Sequence, residues 1–131
     1  MTAVGLIGCG NVGGELVRAR PRGATSFRVF DTDGEKSHQL AELAGGTSVT
    51  VCSSVAEVFR GAGIVVEAAS VAAVGGVLNM LRVHPRVPVV ILSVGGLIAR
   101  YARYRDLLAK GCSITVPCGA IAGCDALAAL R

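Results

Sequence analysis

Apolar positions along the chain follow two alternating rhythms. Ala3-Val4-Gly5-Leu6-Ile7, Ile64-Val65-Val66-Glu67-Ala68 and Pro88-Val89-Val90-Ile91-Leu92-Ser93 are nearly continuous apolar runs. Their length and composition predict strands covered on both faces. Thr25 to Phe30, Ser48 to Val51 and Ser113 to Val116 are shorter runs with strand-like alternation. Between these runs the spacing becomes helical. Glu15 to Arg20 reads as one helix, and a second runs from Glu35 through Leu40, Leu43 and Ala44. A third opens at Ser54 and ends near Gly61. The fourth follows Ser70 and carries Val74, Val77, Leu78 and Leu81; a fifth presents Leu97, Tyr101, Tyr104 and Leu108 on one face. Breakers fall where the rhythm changes: Pro21-Arg22-Gly23, Gly45-Gly46, His84-Pro85, Gly111 and Pro117. Thr32-x-x-Glu35 and Ser54-x-x-Glu57 have capping-box spacing, and Ser70 is placed to cap the fourth helix. Six strands alternating with helices predict an α/β fold, a doubly wound parallel sheet with strand order 3-2-1-4-5-6.

Composition narrows the picture. At 131 residues the chain is one domain, 1–131. Apolar residues make up 52% and aromatic residues only 4%, with 18 glycines, which suits a tightly packed parallel sheet. The formal charge of +4 does not suggest nucleic acid, because the arginines are scattered and few aromatics could stack bases. Arg100, Arg103 and Arg105 read as the solvated face of a helix. Five cysteines, an odd number without CxxC or metal-ligand spacing, predict no metal site and no disulfide framework. They point to a reducing cytoplasm. The first strand starts at once, so no signal peptide is expected. The apolar stretch from Gly61 to Leu81 is broken by Glu67, Ser70 and Gly75-Gly76, which favours a buried strand and helix over a membrane span.

The chemistry concentrates in the first loop. Gly8-Cys9-Gly10-Asn11-Val12-Gly13 stands between a predicted strand and a predicted helix, the context that gives a GxGxxG pattern meaning. Gly8 allows the turn, Gly10 lets a pyrophosphate approach the backbone, and Gly13 lets the helix pack on the strand. Asn11 and Val12 belong to the same loop, ahead of a helix whose free N–H groups attract phosphate. Asp31 ends the second strand roughly 20 residues later, placed to accept from an adenosine ribose. Two further acids follow, Asp33 and Glu35, and this favours NAD over NADP. The other predicted strand ends carry small residues, among them Ala69, Ser70 and Ser93, which suit a flat cofactor crossing backbone. No catalytic residue is assigned. His38 and His84 fall on a helix and before a proline, and Cys118 lacks a nearby base.

Val116-Pro117-Cys118-Gly119-Ala120-Ile121-Ala122-Gly123-Cys124-Asp125-Ala126-Leu127 resembles the signature of L-aspartate dehydrogenases, usually P-S-G-A-I-G-G-L-D-A-L. The glycine loop and Val66-Glu67-Ala68-Ala69-Ser70 resemble that family's loops, and the similarity runs through the whole chain. Cys118, Ala122 and Cys124 depart from the pattern by small swaps. The resemblance implies a Rossmann domain that binds NAD, with NADP admitted. It also implies that Ala69, Ser70, Cys118, Gly119 and Ala120 flank the nicotinamide ribose and ring. In that family a second domain binds the substrate and supplies a catalytic histidine. The expectation is therefore the cofactor-binding half of an oxidoreductase, acting on a small molecule only with that second domain and with a homodimer allowed. The alternative is a stand-alone module that binds a dinucleotide and catalyses nothing.

Overall fold

The computed structural model describes residues 2–117. In chain order the elements are β1 (Thr2–Ile7), α1 (Asn11–Ala19), β2 (Ala24–Phe30), α2 (Gly34–Glu42), β3 (Ser48–Val51) and α3 (Val55–Gly61). There follow β4 (Ile64–Glu67), α4 (Val74–Val83), β5 (Val89–Ile91), α5 (Gly95–Ile98), α6 (Tyr101–Ala109) and β6 (Ile114–Thr115). All strand pairs are parallel, and the order is β3-β2-β1-β4-β5-β6, as the alternation predicts. The winding reverses between β1 and β4. Loops leaving the carboxyl ends of those two strands therefore part there and leave a cleft.

Side chains alternate across the sheet and feed two cores. Leu6, Val17, Phe27, Val29 and Leu40 pack together on the face covered by α1 and α2. On the other face, Ile7, Phe59, Val65, Leu78, Leu81 and Leu107 pack with α3, α4 and α6. Leu78 and Leu81 are fully enclosed, so truncating either to Ala would cost about 2–5 kcal/mol. Glu67 and Ser37 are the buried polar side chains among the described residues.

Three local expectations are corrected. The first helix begins at Asn11, directly after Gly10, rather than at Glu15. Asp33, not Thr32, caps α2, accepting from Glu35 N–H at 3.1 Å. The expected cap at Ser54 holds, accepting from Glu57 N–H at 3.2 Å, with the Glu57 carboxylate turned back to Ser53. Ser70 caps only a turn, through Ala73 N–H at 3.4 Å, and α4 starts at Val74.

The fifth predicted helix is two helices. Gly96 lies so close to α4 that an added Cβ would meet Val74 Cγ2 at 2.5 Å. The backbone then leaves the helical region at Arg100 (φ −127°, ψ 31°). The break resets the phase, so Leu97 and Leu107 are buried while Tyr101 and Leu108 are exposed. Arg100 is not simply solvated. Its guanidinium donates to Gly96 O at 3.3 Å and to Val71 O at 3.4 Å, bracing the junction.

Candidate cofactor-binding site

The glycine loop separates cleanly into fold and function. Gly8 adopts φ +100°, and a Cβ there would lie 2.6 Å from Ala68 O. A Cβ on Gly13 would lie 2.2 Å from Gly8 O. Both glycines are therefore demanded by the turn and by the approach of α1 to it. Gly10 is different. Its φ of −78° suits any residue, and nothing lies within 4 Å of where its Cβ would be. No contact within the described residues requires glycine at this position.

Gly10 is also the residue before the first turn of α1. No side chain caps that helix, and its first turn carries no acid. Gly14 N–H makes the first helical bond, to Gly10 O at 2.8 Å. The N–H groups of Asn11, Val12 and Gly13 precede it and face outward as an uncapped, positively polarised end. Val12 is 58% exposed, although an aliphatic side chain gains nothing from water. A dinucleotide pyrophosphate fits this opening by charge and by space.

Asp31 stands across the loop at the carboxyl end of β2. Its Oδ2 accepts from Cys9 N–H at 2.8 Å and its Oδ1 from Asp33 N–H at 2.9 Å. Each oxygen keeps a further lone pair for a ribose hydroxyl. Cys9 itself is buried, with Sγ 3.5 Å from Ser37 Oγ. Burial pushes its thiol above the ordinary range, and the Asp31 charge adds to this. A cavity of about 460 Å³ runs beside Asp31, walled by Gly8, Phe30, Thr32, Val55, Ala69 and Ser70. That size suits part of a nucleotide.

Ala69 and Ser70 therefore border the same cavity as Asp31, while Ser93 lies one strand further on, after β5. The residue that joins these loops was overlooked in the sequence. Glu67, given no role of its own in the sequence, is fully buried at the end of β4. Its carboxylate accepts from Ala69 N–H, Ser70 N–H, Ser93 N–H and Ser93 Oγ, at 2.9 to 3.0 Å. Four donors converging on an acceptor-only group are what makes a buried carboxylate sustainable. The available signal was an acid closing a run of β-branched residues on a central strand.

A second feature was also missed. Arg18 and Lys36 line a smaller hollow with Cys9, Gly10 and Asn11, on the outer side of the loop. Two cations thus stand beside Gly10, Arg18 among them paired with Glu15 at 2.8 Å.

The histidines stay away from the cleft. His38 is exposed on α2, and His84 leads toward the amino end of β5, its ring 5.9 Å from that of Phe59. Among the described residues no cluster of three or more His, Cys, Asp or Glu could hold a metal. No helix among them is long and apolar enough to cross a membrane. Cys118, Gly119 and Ala120 lie outside the described residues.

Residues 8–117, from the first glycine of the loop to the end of the sheet, match the family described as homoserine dehydrogenase, NAD binding domain. The chain belongs to that family. This NAD-binding domain is 32% identical over 139 residues to the L-aspartate dehydrogenase of Methanocaldococcus jannaschii, covering 100% of the chain and 51% of the relative. It is 32% identical over 136 residues to the L-aspartate dehydrogenase of Methanosarcina acetivorans, covering 97% and 48%. The chain thus spans about half the length of these curated relatives. Its fold matches an oxidoreductase of Agrobacterium radiobacter solved with NAD+, L-tartaric acid and magnesium. The TM-score is 0.71 at 20% identity, over 88% of this chain and 34% of the other. The NAD-binding domain is a Rossmann fold, and its resemblance to L-aspartate dehydrogenases extends along the whole chain.

Proposed function

We propose that this NAD-binding domain is the cofactor-binding part of an oxidoreductase that acts on L-aspartate. The relatives carry that activity in chains about twice as long. The observation that carries the local reading is Gly10, a glycine that the fold leaves without a reason and that a pyrophosphate supplies with one. Gly8, Gly10, Asn11, Val12 and Gly13 would hold the pyrophosphate, and Asp31 the adenosine ribose. Ala69, Ser70 and Ser93, with Cys118, Gly119 and Ala120, would border the nicotinamide half. Bound nicotinamide supplies the hydride-accepting carbon. The protein's own part is to orient the ring and exclude water around it. Hydride leaving Cα of L-aspartate for NAD would give iminoaspartate, NADH and a proton. The imine then enters NAD biosynthesis or hydrolyses to oxaloacetate, in the cytoplasm. NAD is the preferred cofactor on account of Asp31, with NADP a weaker ligand rather than an excluded one.

The test is a chimera in which this chain replaces the matching half of the Methanocaldococcus jannaschii enzyme. NADH formation from L-aspartate and NAD, followed by nicotinamide absorbance, is expected. A folded chimera that binds NAD and leaves L-aspartate untouched would reject the substrate assignment.

A further inference from the structure

Glu67 breaks the pattern of the sheet in which it sits. Its register partners on the two flanking strands are Ile7 and Ile91, both buried aliphatics. An aliphatic residue would complete that row and carry no desolvation cost. The acid instead spends its four hydrogen bonds on two loops. Oε1 takes Ala69 N–H at 2.9 Å, Ser70 N–H at 3.0 Å and Ser93 Oγ at 2.9 Å, and Oε2 takes Ser93 N–H at 3.0 Å. The β4 loop and the β5 loop are thus joined through one side chain that is itself closed to solvent. A local rule broken at the mouth of a cleft marks a functional constraint more often than a packing one.

We propose that Glu67 is a positioning residue that fixes the spacing of the Ala69-Ser70 and Ser93 loops, and through them the floor under the nicotinamide half of the cofactor. The inference rests on the dinucleotide reading above. In this strand order the adenosine half meets β2, and the other half meets β4 and the strands beyond it. Glu67 makes no hydrogen bond to Asp31 or to the glycine loop, so adenosine and pyrophosphate binding depend on it less, although Ala69 and Ser70 also border the Asp31 cavity. Every partner of Glu67 donates. A glutamine at this position would bring an NH2 group against at least one N–H or O–H donor and push a loop away.

The experiment is calorimetric titration of the 131-residue chain with NAD and, separately, with ADP-ribose, which lacks the nicotinamide. Glu67→Gln is expected to weaken NAD binding by about tenfold and ADP-ribose binding by about twofold or less. The double variant Glu67→Gln/Ser93→Ala should bind NAD no worse than Glu67→Gln, because both act through one network. Equal losses for both ligands, no loss of NAD, or fully additive losses in the double variant would overturn the proposal. If Glu67→Gln shows no cooperative unfolding, Ser93→Ala decides, since it removes only the hydroxyl bond to Oε1. A loss confined to NAD then supports the role, and unchanged NAD binding rejects it. A parent chain that binds neither ligand would instead take down the dinucleotide reading itself, before any variant is made.

Discussion

The Asp31 carboxylate is bound to the backbone N–H of Cys9 at 2.8 Å, which locks the carboxyl end of β2 onto the glycine loop. One side chain therefore shapes the turn and keeps further lone pairs free, which the proposed reading gives to a ribose. A 2′-phosphate beside it would meet a like charge, a repulsion of about 1 kcal/mol at 4 Å in water and about 4 kcal/mol near a protein surface. Asp31 is half-exposed, so the lower part of that range applies. The parent chain is expected to bind NADH about tenfold more tightly than NADPH, and Asp31→Ser should narrow the ratio to about threefold or less. Fluorescence titration with both cofactors measures it. A parent chain that prefers NADPH would remove Asp31 from this role.

Much of this was legible in the sequence, for physical reasons that differ by element. The strands β1, β4 and β5 announce themselves because strands covered on both faces leave continuous apolar runs, while β2, β3 and β6 show as shorter alternating ones. The glycine loop is readable because close backbone approach admits only one residue type, as Gly8 and Gly13 illustrate. The break at Arg100 was hidden, since Leu97, Tyr101, Tyr104 and Leu108 keep a helical period across it. Only the contact of Gly96 with Val74 shows why the phase resets. Glu67 was hidden for another reason. An acid at a strand end is usually solvated, and its four donors come from loops 2 to 26 positions away. Lys36 and Arg18 stand beside Gly10 through packing of α1 and α2, which no linear motif records.

The buried thiols set an alkaline limit on stability. Burial chiefly raises Cys9 and Cys52 above the ordinary thiol value, with Asp31 adding to the effect at Cys9 and Glu57 at Cys52, while Arg28 opposes it at Cys52. A raised folded-state value favours the neutral thiol in the native chain. Stability is then full below the unfolded thiol value of about 8.5. It falls as pH rises through the higher folded-state values. Urea unfolding between about pH 7.5 and pH 10 should show this decline, and Cys9→Ala should reduce its slope. A stability unchanged across that interval would contradict the expectation.

The 131-residue chain alone is expected to leave L-aspartate unoxidised at any useful rate, even where it binds cofactor. A positioned acid–base group contributes about 100- to 10,000-fold. Among the described residues, none of the histidines reaches the cleft, and Glu67 is enclosed and fully engaged. Following NADH formation from L-aspartate and NAD checks this. Turnover near that of a full-length relative would mean that a catalytic group lies within this chain, with Cys118 the first to test.

NADH binding by the parent chain and by Gly10→Val tests the central claim most directly. The parent should bind NADH saturably in the micromolar to millimolar range. Gly10→Val should lose at least about tenfold in affinity by filling the pyrophosphate path, with a melting temperature within about 2 °C of the parent. That small shift is expected because nothing lies within 4 Å of the added Cβ. Gly13→Ala provides the contrast. Its Cβ would meet Gly8 O at 2.2 Å, so its melting temperature should fall by about 4–8 °C or more. Equal NADH binding by the parent and by a folded Gly10→Val would contradict the account.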